Sequence, residues 1–326
     1  MRGKAFYNLI KLKWDDDHDF KVESWQVEDL RALSDEEVFK RFESFDIPLN
    51  LETLALYAEK CDSPEELVDC LLLDQKDDAL IGKVYLLAFE AWRRFCPNKQ
   101  TLIIFFDEID HLISAYDHDE LEDDQVLYDN LFEMCVILDQ HVDSGNSTES
   151  VIELLEVSCA HDIESFMYEY IASLIDNDQD AAASELLEAF YPYAQDKRWF
   201  EFLRIRLLAE TDEAESKVML DRLFSELIEQ PDVDLGFEML RLLTTLNERT
   251  AFQVLLDNIG SWMHTESDFQ QLLSTVRDYF CALDCEKEES IVAAMLAKRE
   301  DMDLDAKFFP TDRELTTLKG VVSSIR

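Results

Sequence analysis

Apolar residues recur every three or four positions along the chain from about residue 25 to its end. This spacing aligns them on one face of an α-helix, whereas a half-buried strand would alternate apolar and polar residues. Only six glycines and six prolines interrupt the 326 residues. The pattern therefore predicts an all-helical protein. Residues 4–14 partly alternate apolar and polar positions, and they are predicted to be the one extended piece.

Several predicted helices begin at capping signals. Ser34 and Glu37 have the spacing of a capping box, and Ser63 precedes a proline at the first position of a helix. Thr211 and Thr311 open similar signals. The predicted helices cover residues 24–32, 35–44, 51–60, 64–73, 77–95, 100–116, 122–141, 148–160, 162–175, 179–194, 197–209, 212–229, 233–246, 248–262, 267–282, 286–299 and 312–325.

From residue 148 onward, the predicted helices are long and their linkers are short. Helices of about 13 to 18 residues joined in this way must pack against their neighbours as antiparallel hairpins. Pairs of this size recur roughly every 34 to 38 residues, which is the spacing of tetratricopeptide-like repeats. We therefore expect an all-α fold of antiparallel helical hairpins stacked as a tetratricopeptide-like or HEAT-like α-solenoid. Two compact helical subdomains would give similar signals.

One short motif is similar to the tetratricopeptide repeat. Ile81-Gly82-x-x-Tyr85 matches the Leu-Gly-x-x-Tyr core of the first helix of that repeat. Arg94 and Asn98 stand where the second helix of the repeat would carry small and aromatic residues. The similarity therefore concerns the fold class and does not identify a family.

Turn-forming residues suggest where the chain divides. They cluster at residues 141–150 and again at 301–314, between strongly periodic segments. We predict an extended or flexible N-terminal segment over residues 1–20, a helical domain over 21–141, a helical-repeat domain over 148–303 and a capping helix over 304–326. The last helix is amphipathic and would cover the end of a solenoid.

Charge narrows the range of partners. The chain carries 73 acidic and 30 basic residues, for a net charge of −43. Such a surface repels phosphates, so we expect no direct binding to nucleic acid or to a membrane. It favours a protein partner with a basic or amphipathic segment, although a merely solvated acidic exterior is the alternative. Seven cysteines without a CxxC motif suit a reducing cytoplasm.

The stretch TLIIFFDEIDHLI at residues 101–113 resembles the Walker B strand of AAA-type ATPases. No GxxxxGK[ST] loop accompanies it, so a nucleotide site is not expected. The apolar residues instead form a helical stripe, consisting of Leu102, Phe105, Phe106, Ile109, Leu112, Ile113 and Tyr116. Asp107, Glu108, Asp110 and His111 then lie on the other side of the helix, where a solvated face is predicted.

Three further kinds of chemistry lack a complete sequence signature. Glu108-x-x-His111 has the spacing of di-iron helical proteins, but no other histidine follows a glutamate at that spacing. The acid runs at residues 14–19 and 116–124 lack the EF-hand pattern. The chain has no GxSxG motif, and Cys159 and His161 are too close in sequence to pair. No metal or other cofactor is expected, and a catalytic triad assembled by the fold is left open.

Aromatic and basic residues cluster around residues 190–206. They either fill a helix–helix corner or anchor a protein interface. On the second interpretation, Trp199, Arg204 and Arg206 form the anchor, and Glu201 and Asp212 supply rim charges.

The sequence therefore predicts a non-enzymatic scaffold or adaptor that binds a basic or amphipathic protein segment on an acidic helical-repeat surface. One alternative is an acidic nucleic-acid mimic that inhibits a DNA-binding protein. A metal-dependent helical-bundle enzyme is the other.

Overall fold

A computed structural model describes residues 3–73 and 75–324, apart from the side chain of Glu210. The all-α fold class is confirmed, since 74% of the chain is helical. Within the described ranges there is no β-strand, and one isolated antiparallel bridge joins Thr265 to Lys307. The described α-helices are α1 (Lys4–Asp16), α2 (Asp35–Ser44), α3 (Leu51–Ala58), α4 (Pro64–Leu71), α5 (Asp78–Phe95), α6 (Leu102–Asp117), α7 (Gln125–Asp143), α8 (Thr148–Ser158), α9 (Ile163–Asp176), α10 (Asp180–Phe190), α11 (Lys197–Thr211), α12 (Glu213–Glu229), α13 (Val233–Thr245), α14 (Arg249–Ile259), α15 (Glu266–Ala282), α16 (Glu286–Arg299) and α17 (Arg313–Ser323).

Two predictions near the N-terminus were wrong. The predicted extended piece at residues 4–14 lies within α1, and the predicted helix at 24–32 is replaced by two short 3-10 turns, Ser24–Gln26 and Leu30–Ala32. The inward face of α1 carries polar as well as apolar residues, because Tyr7 is buried while Asn8 contacts acidic residues of α6. A helical face of mixed polarity does not produce an apolar stripe in the sequence.

Predicted helix starts agree closely with the structure. Ser34 and Glu37 form the expected capping box, and the Ser63 hydroxyl accepts a hydrogen bond from the backbone N–H of Glu66. At the two threonine signals, the capping side chain belongs to the following residue, Asp212 or Asp312. A carboxylate at this position accepts hydrogen bonds from otherwise unpaired N–H groups of the first turn.

The chain forms two compact units. Unit 1 comprises Met1–Tyr170 with Glu188–Gln195, and unit 2 comprises Ile171–Leu187 with Asp196–Arg326. This grouping differs from a division at residues 141–150, because α8 packs against α1, α6 and α7 within unit 1. The roles assigned to the four predicted segments stay predictions.

The core of unit 1 is built around α5, which packs against α2 and α4. Trp92, Tyr85 and Phe89 of α5 are fully buried there. Gly82 lies on the same helix, and a Cβ atom at this position would approach the Trp25 ring and the Tyr7 hydroxyl to 2.6 Å. The glycine is therefore required by the close packing of these two aromatic side chains.

Unit 2 contains consecutive helices that pack in pairs, as the short linkers predict. The pairs are α11 with α12, α13 with α14, and α15 with α16. The last helix, α17, packs against α14 and α16. Adjacent pairing is consistent with a helical-repeat arrangement.

A buried ion cluster fastens the end of unit 2. The Arg299 guanidinium of α16 donates to the Glu266 carboxylate of α15 at 2.7 and 2.5 Å, and to Glu314 of α17 at 2.8 Å. Arg299 also lies over the Phe269 ring, 4.7 Å from its centroid. One cation thus joins three helices.

Among the described residues, no helix combines the length and apolar character needed to cross a membrane.

Candidate functional site

Two of the four polar positions on α6, Asp107 and Asp110, are buried, which corrects the predicted solvated face there, whereas His111 is exposed. The prediction that residues 100–116 form a helix is confirmed. However, Asp107 and Asp110 are only 4% and 3% exposed. The reason is α1, whose Asn8 amide donates to Asp107 at 2.9 Å and to Asp110 at 3.0 Å. A second helix therefore covers acidic positions that the sequence pattern assigns to solvent.

Asp107 is held by two cations. Its carboxylate lies 2.9 Å from the Lys4 ammonium and 2.8 Å from the Arg31 guanidinium. Burial alone would raise the pKa of Asp107, but the charges of Lys4 and Arg31 and the hydrogen bonds from Asn8 and Lys4 lower it to about 2. Asp107 is therefore ionised at neutral pH and ties α1 and the 3-10 turn Leu30–Ala32 to α6.

The Glu108 and His111 pair forms part of the same network. The Glu108 carboxylate accepts a hydrogen bond from Arg31 at 2.8 Å. Partial desolvation and the nearby Arg31 charge lower the pKa of His111. Across residues 3–73 and 75–324, no three or more His, Cys, Asp or Glu side chains are arranged to hold a metal ion. Glu108 is instead paired with a cation of the chain itself, Arg31.

Asp110, His161 and Ser114 form a hydrogen-bonded chain. His161 Nδ1 lies 2.9 Å from Asp110 Oδ1, and His161 Nε2 lies 3.4 Å from Ser114 Oγ. Asp110 also accepts hydrogen bonds from the backbone N–H groups of Ala160 and His161 at 2.9 and 3.2 Å. Because Asp110 is an acceptor, it favours the tautomer with the proton on Nδ1. The unprotonated Nε2 then faces the serine hydroxyl.

This group could not be predicted from the sequence because its parts are far apart in the chain. Asp110 and Ser114 are one turn apart on α6, whereas His161 lies just before α9. In the sequence, the nearest nucleophilic candidate to His161 is Cys159, which is buried. The spacing of Asp110 and Ser114 places both on one helix face, but nothing in the sequence indicates which histidine meets them.

The three residues line a cleft of about 210 Å³ in unit 1. Successive turns of α1 meet successive turns of α6, since Lys4 contacts Asp107 and Asn8 contacts Asp110. Lys11, on the next turn of α1, also lines the cleft. The cleft walls are mainly polar, and they include Lys4, Asn8, Lys11, Asp15, Glu28, Arg31, Asp107, Asp110, His111, Ser114, Glu120 and His161.

A second feature is the distribution of charge. No lysine or arginine lies between Lys99 and Lys197, whereas this stretch holds 25 aspartates and glutamates. The stretch includes all of α6, α7, α8, α9 and α10. Outside it, many basic side chains are paired with acids, as in Arg41 with Glu28 at 2.6 Å. The central part of the chain has no such basic residue of its own.

Helix α7 shows this imbalance together with exposed apolar side chains. Val126 is 48% exposed and Phe132 is 37% exposed. Asp129 and Glu133 are exposed on the same helix. The spacing places these side chains on one face of the helix, because residues three or four positions apart are neighbours on its surface. Asp129 follows Val126 by three positions, Phe132 follows Asp129 by three, and Glu133 follows Asp129 by four. We call Val126, Asp129, Phe132 and Glu133 the α7 outer face.

The predicted interface anchor lies on α11 and at the start of α12, in unit 2. Arg206 forms an ion pair with Asp176, and Glu201 forms one with Arg222 at 2.9 Å. Asp212 caps α12 by accepting a hydrogen bond from the backbone N–H of Glu215 at 3.1 Å. These three residues therefore stabilise unit 2.

The other two residues of the predicted anchor have intermediate exposure. Trp199 and Arg204 are half-buried. The neighbouring rings of Phe200 and Phe202 are fully buried, as in a helix–helix corner. The partner-binding role of Trp199, Glu201, Arg204, Arg206 and Asp212 stays a prediction.

Comparison of the chain with protein-family models, curated proteins and solved structures gives no match.

Proposed function

We propose that this protein is a cytoplasmic helical-repeat scaffold or adaptor that binds a basic amphipathic segment of another protein. The α7 outer face is the proposed binding surface. The observation that carries the proposal is the absence of lysine and arginine between Lys99 and Lys197, combined with the exposure of Val126 and Phe132 in the same stretch.

Charge and apolar surface would act together on the α7 outer face. The surplus carboxylates attract a cationic segment and speed its encounter. Lysine or arginine side chains of the segment then contact Asp129 and Glu133, while its apolar residues cover Val126 and Phe132. An amphipathic helix offers both kinds of side chain at matching intervals. Such a partner would remove apolar surface from water and neutralise part of the excess charge.

Helix α12 provides a contrast within the same molecule. Val218 is exposed there as well, and Asp221 lies three positions further along the helix. However, Lys217 and Arg222 lie beside these residues, and they pair with Glu248 and Glu201 at 2.7 and 2.9 Å. An exposed apolar residue with nearby cations would attract a basic segment less strongly.

The cysteines support the proposed compartment. All seven are free thiols. Burial raises the pKa of Cys135 to about 12, so this thiol is unreactive at neutral pH. Free thiols of this kind suit a reducing cytoplasm.

Fluorescence anisotropy with two labelled peptides tests the proposal. One peptide is a basic amphipathic helix, and the other has the same composition in scrambled order. We expect the amphipathic peptide to bind more tightly and to keep part of its affinity at high salt. Equal binding of both peptides, abolished by salt, would contradict the proposal and favour an acidic nucleic-acid mimic.

Charge reversal locates the surface. The double change Asp129→Lys and Glu133→Lys should weaken binding of the amphipathic peptide by roughly tenfold or more, because attraction becomes repulsion. The matched control is Asp221→Lys with Glu229→Lys on α12, which changes the net charge equally. Equal losses in the two double variants would mean that net charge alone drives binding.

A further inference from the structure

We propose that Ser114, His161 and Asp110 form a nucleophilic serine site that hydrolyses small carboxylic esters. The proposal is independent of the binding surface on α7. It starts from the hydrogen-bonded order of the three side chains, in which His161 joins the Asp110 carboxylate to the Ser114 hydroxyl. A serine, a base and a group that orients the base are the parts that nucleophilic serine chemistry requires.

Asp110 is a positioning residue in this arrangement. Its carboxylate is 3% exposed and accepts hydrogen bonds from Asn8, from the Ala160 N–H and from the His161 N–H. These donors fix its orientation toward His161 Nδ1. The imidazole is thereby held with Nε2 directed at Ser114. The separation of 3.4 Å between Nε2 and Oγ is longer than a tight hydrogen bond, as catalytic hydrogen bonds often are before substrate binds.

Access and charge also favour the chemistry. Ser114 and His161 line the cleft of about 210 Å³, so a small molecule can reach the hydroxyl. Lys11 lines the same cleft one turn beyond Asn8, and it forms no ion pair with any residue that the structure describes. Because Asn8 meets Asp110, the helical repeat brings Lys11 toward the level of Ser114. Its ammonium group supplies positive charge for a developing oxyanion.

The reaction proceeds in two steps, acylation of Ser114 and hydrolysis of the acyl-serine. Ser114 Oγ forms a bond to the ester carbonyl carbon while its proton passes to His161 Nε2. The bond to the leaving oxygen then breaks, and His161 returns the proton to the departing alcohol. Water next attacks the acyl-serine in the same way. It releases a carboxylic acid and restores the Ser114 hydroxyl, with no change in oxidation state.

The walls of the cleft define the substrate class. Asp15, Glu28 and Glu120 line it in addition to the buried acids, so an anionic ester would be repelled. The small volume accommodates a short acyl chain. We therefore infer a neutral or cationic ester of a short carboxylic acid as the substrate.

A fluorophosphonate probe provides the first test, because it reacts covalently with activated serines. The full chain is incubated with the probe, and the labelled residue is identified by peptide mass spectrometry. We expect one label per molecule, on Ser114, and loss of that label in Ser114→Ala. The control variant Ser150→Ala removes an exposed serine of α8 and should label at the original rate. Absence of labelling, or labelling spread over surface serines, would overturn the proposal.

Two further variants separate chemistry from structure. His161→Gln keeps a donor for Asp110 but removes the base, and it should slow both labelling and hydrolysis of p-nitrophenyl acetate by roughly 100-fold or more. Lys11→Met should slow acetate release while leaving the melting temperature unchanged, because Lys11 is exposed. If His161 were only a structural tie, His161→Gln would lower the melting temperature and leave the labelling rate of the folded protein unchanged. That result would contradict the assignment.

Discussion

The Lys4 ammonium lies 2.9 Å from the carboxylate of Asp107, and this contact joins the first helix of unit 1 to α6. Asp107 is 4% exposed, so replacing it with asparagine leaves Lys4 and Arg31 without their buried counter-charge. We expect Asp107→Asn to lower the free energy of unfolding by about 2 to 4 kcal/mol, measured by urea denaturation. Asp117→Asn, on an exposed position of the same helix, is the control and should change stability little. Equal effects of the two variants would show that the ion pairs are not stabilising.

The same carboxylate gives the protein a defined response to acid. Because the pKa of Asp107 is lowered to about 2 in the folded state, its contribution is present at neutral pH and is lost as the pH falls. The loss begins near the unfolded-state pKa of about 4 and is complete below about 2, and it amounts to about 2 kcal/mol. The stability difference between the original protein and Asp107→Asn should therefore shrink toward zero over this range. A difference that stays constant down to pH 2 would contradict the assigned charge state.

Alanine at position 82 is predicted to destabilise the protein. A Cβ atom there would lie 2.6 Å from the Trp25 ring, so the aromatic packing of unit 1 must shift. Gly82→Ala should destabilise the protein by about 1 to 3 kcal/mol, although alanine is the better helix former. Gly320→Ala in α17 is the matched control, since no atom lies within 4 Å of the added methyl group. That change should stabilise the protein by up to about 1 kcal/mol, and a melting curve for each variant would decide the matter.

Arg299 is predicted to be the strongest single contributor to the end of unit 2. Arg299→Ala leaves Glu266, which is 2% exposed, as an unpaired buried charge. We expect a loss of about 3 to 5 kcal/mol, together with faster hydrogen exchange in α17. Arg313→Ala removes an exposed arginine from the adjacent helix and should have little effect. Normal protection of α17 in Arg299→Ala would contradict a role for Arg299 in joining the three helices.

Sequence patterns predicted the helices of this protein well where one face is apolar. The stripe from Leu102 to Tyr116 identified α6, although a Walker B strand offered a competing interpretation. The capping box at Ser34 and the proline after Ser63 located two further helix starts. These signals are local, and local signals can be read without knowledge of the fold.

The patterns failed where polar side chains face inward. Lys4 and Asn8 give the inward face of α1 mixed polarity, so that no apolar stripe marks it. For the same reason, the pattern assigned the acids of α6 to solvent. A prediction from periodicity assigns every charged residue to the exposed face. Asp107 can nevertheless be buried, because it pairs with cations from distant parts of the chain. The meeting of Ser114 with His161 depends equally on long-range packing. The candidate site could therefore be identified only from the structure.

Amide hydrogen exchange on the complex with the basic amphipathic peptide is the decisive measurement for the proposed binding surface on α7. Exchange is followed by mass spectrometry along the full chain, with and without the peptide. We expect slower exchange in α7, over Gln125–Asp143, and no change in α11 or α12. Protection confined to α11 around Trp199, or the absence of any protection in α7, would contradict the proposed binding surface.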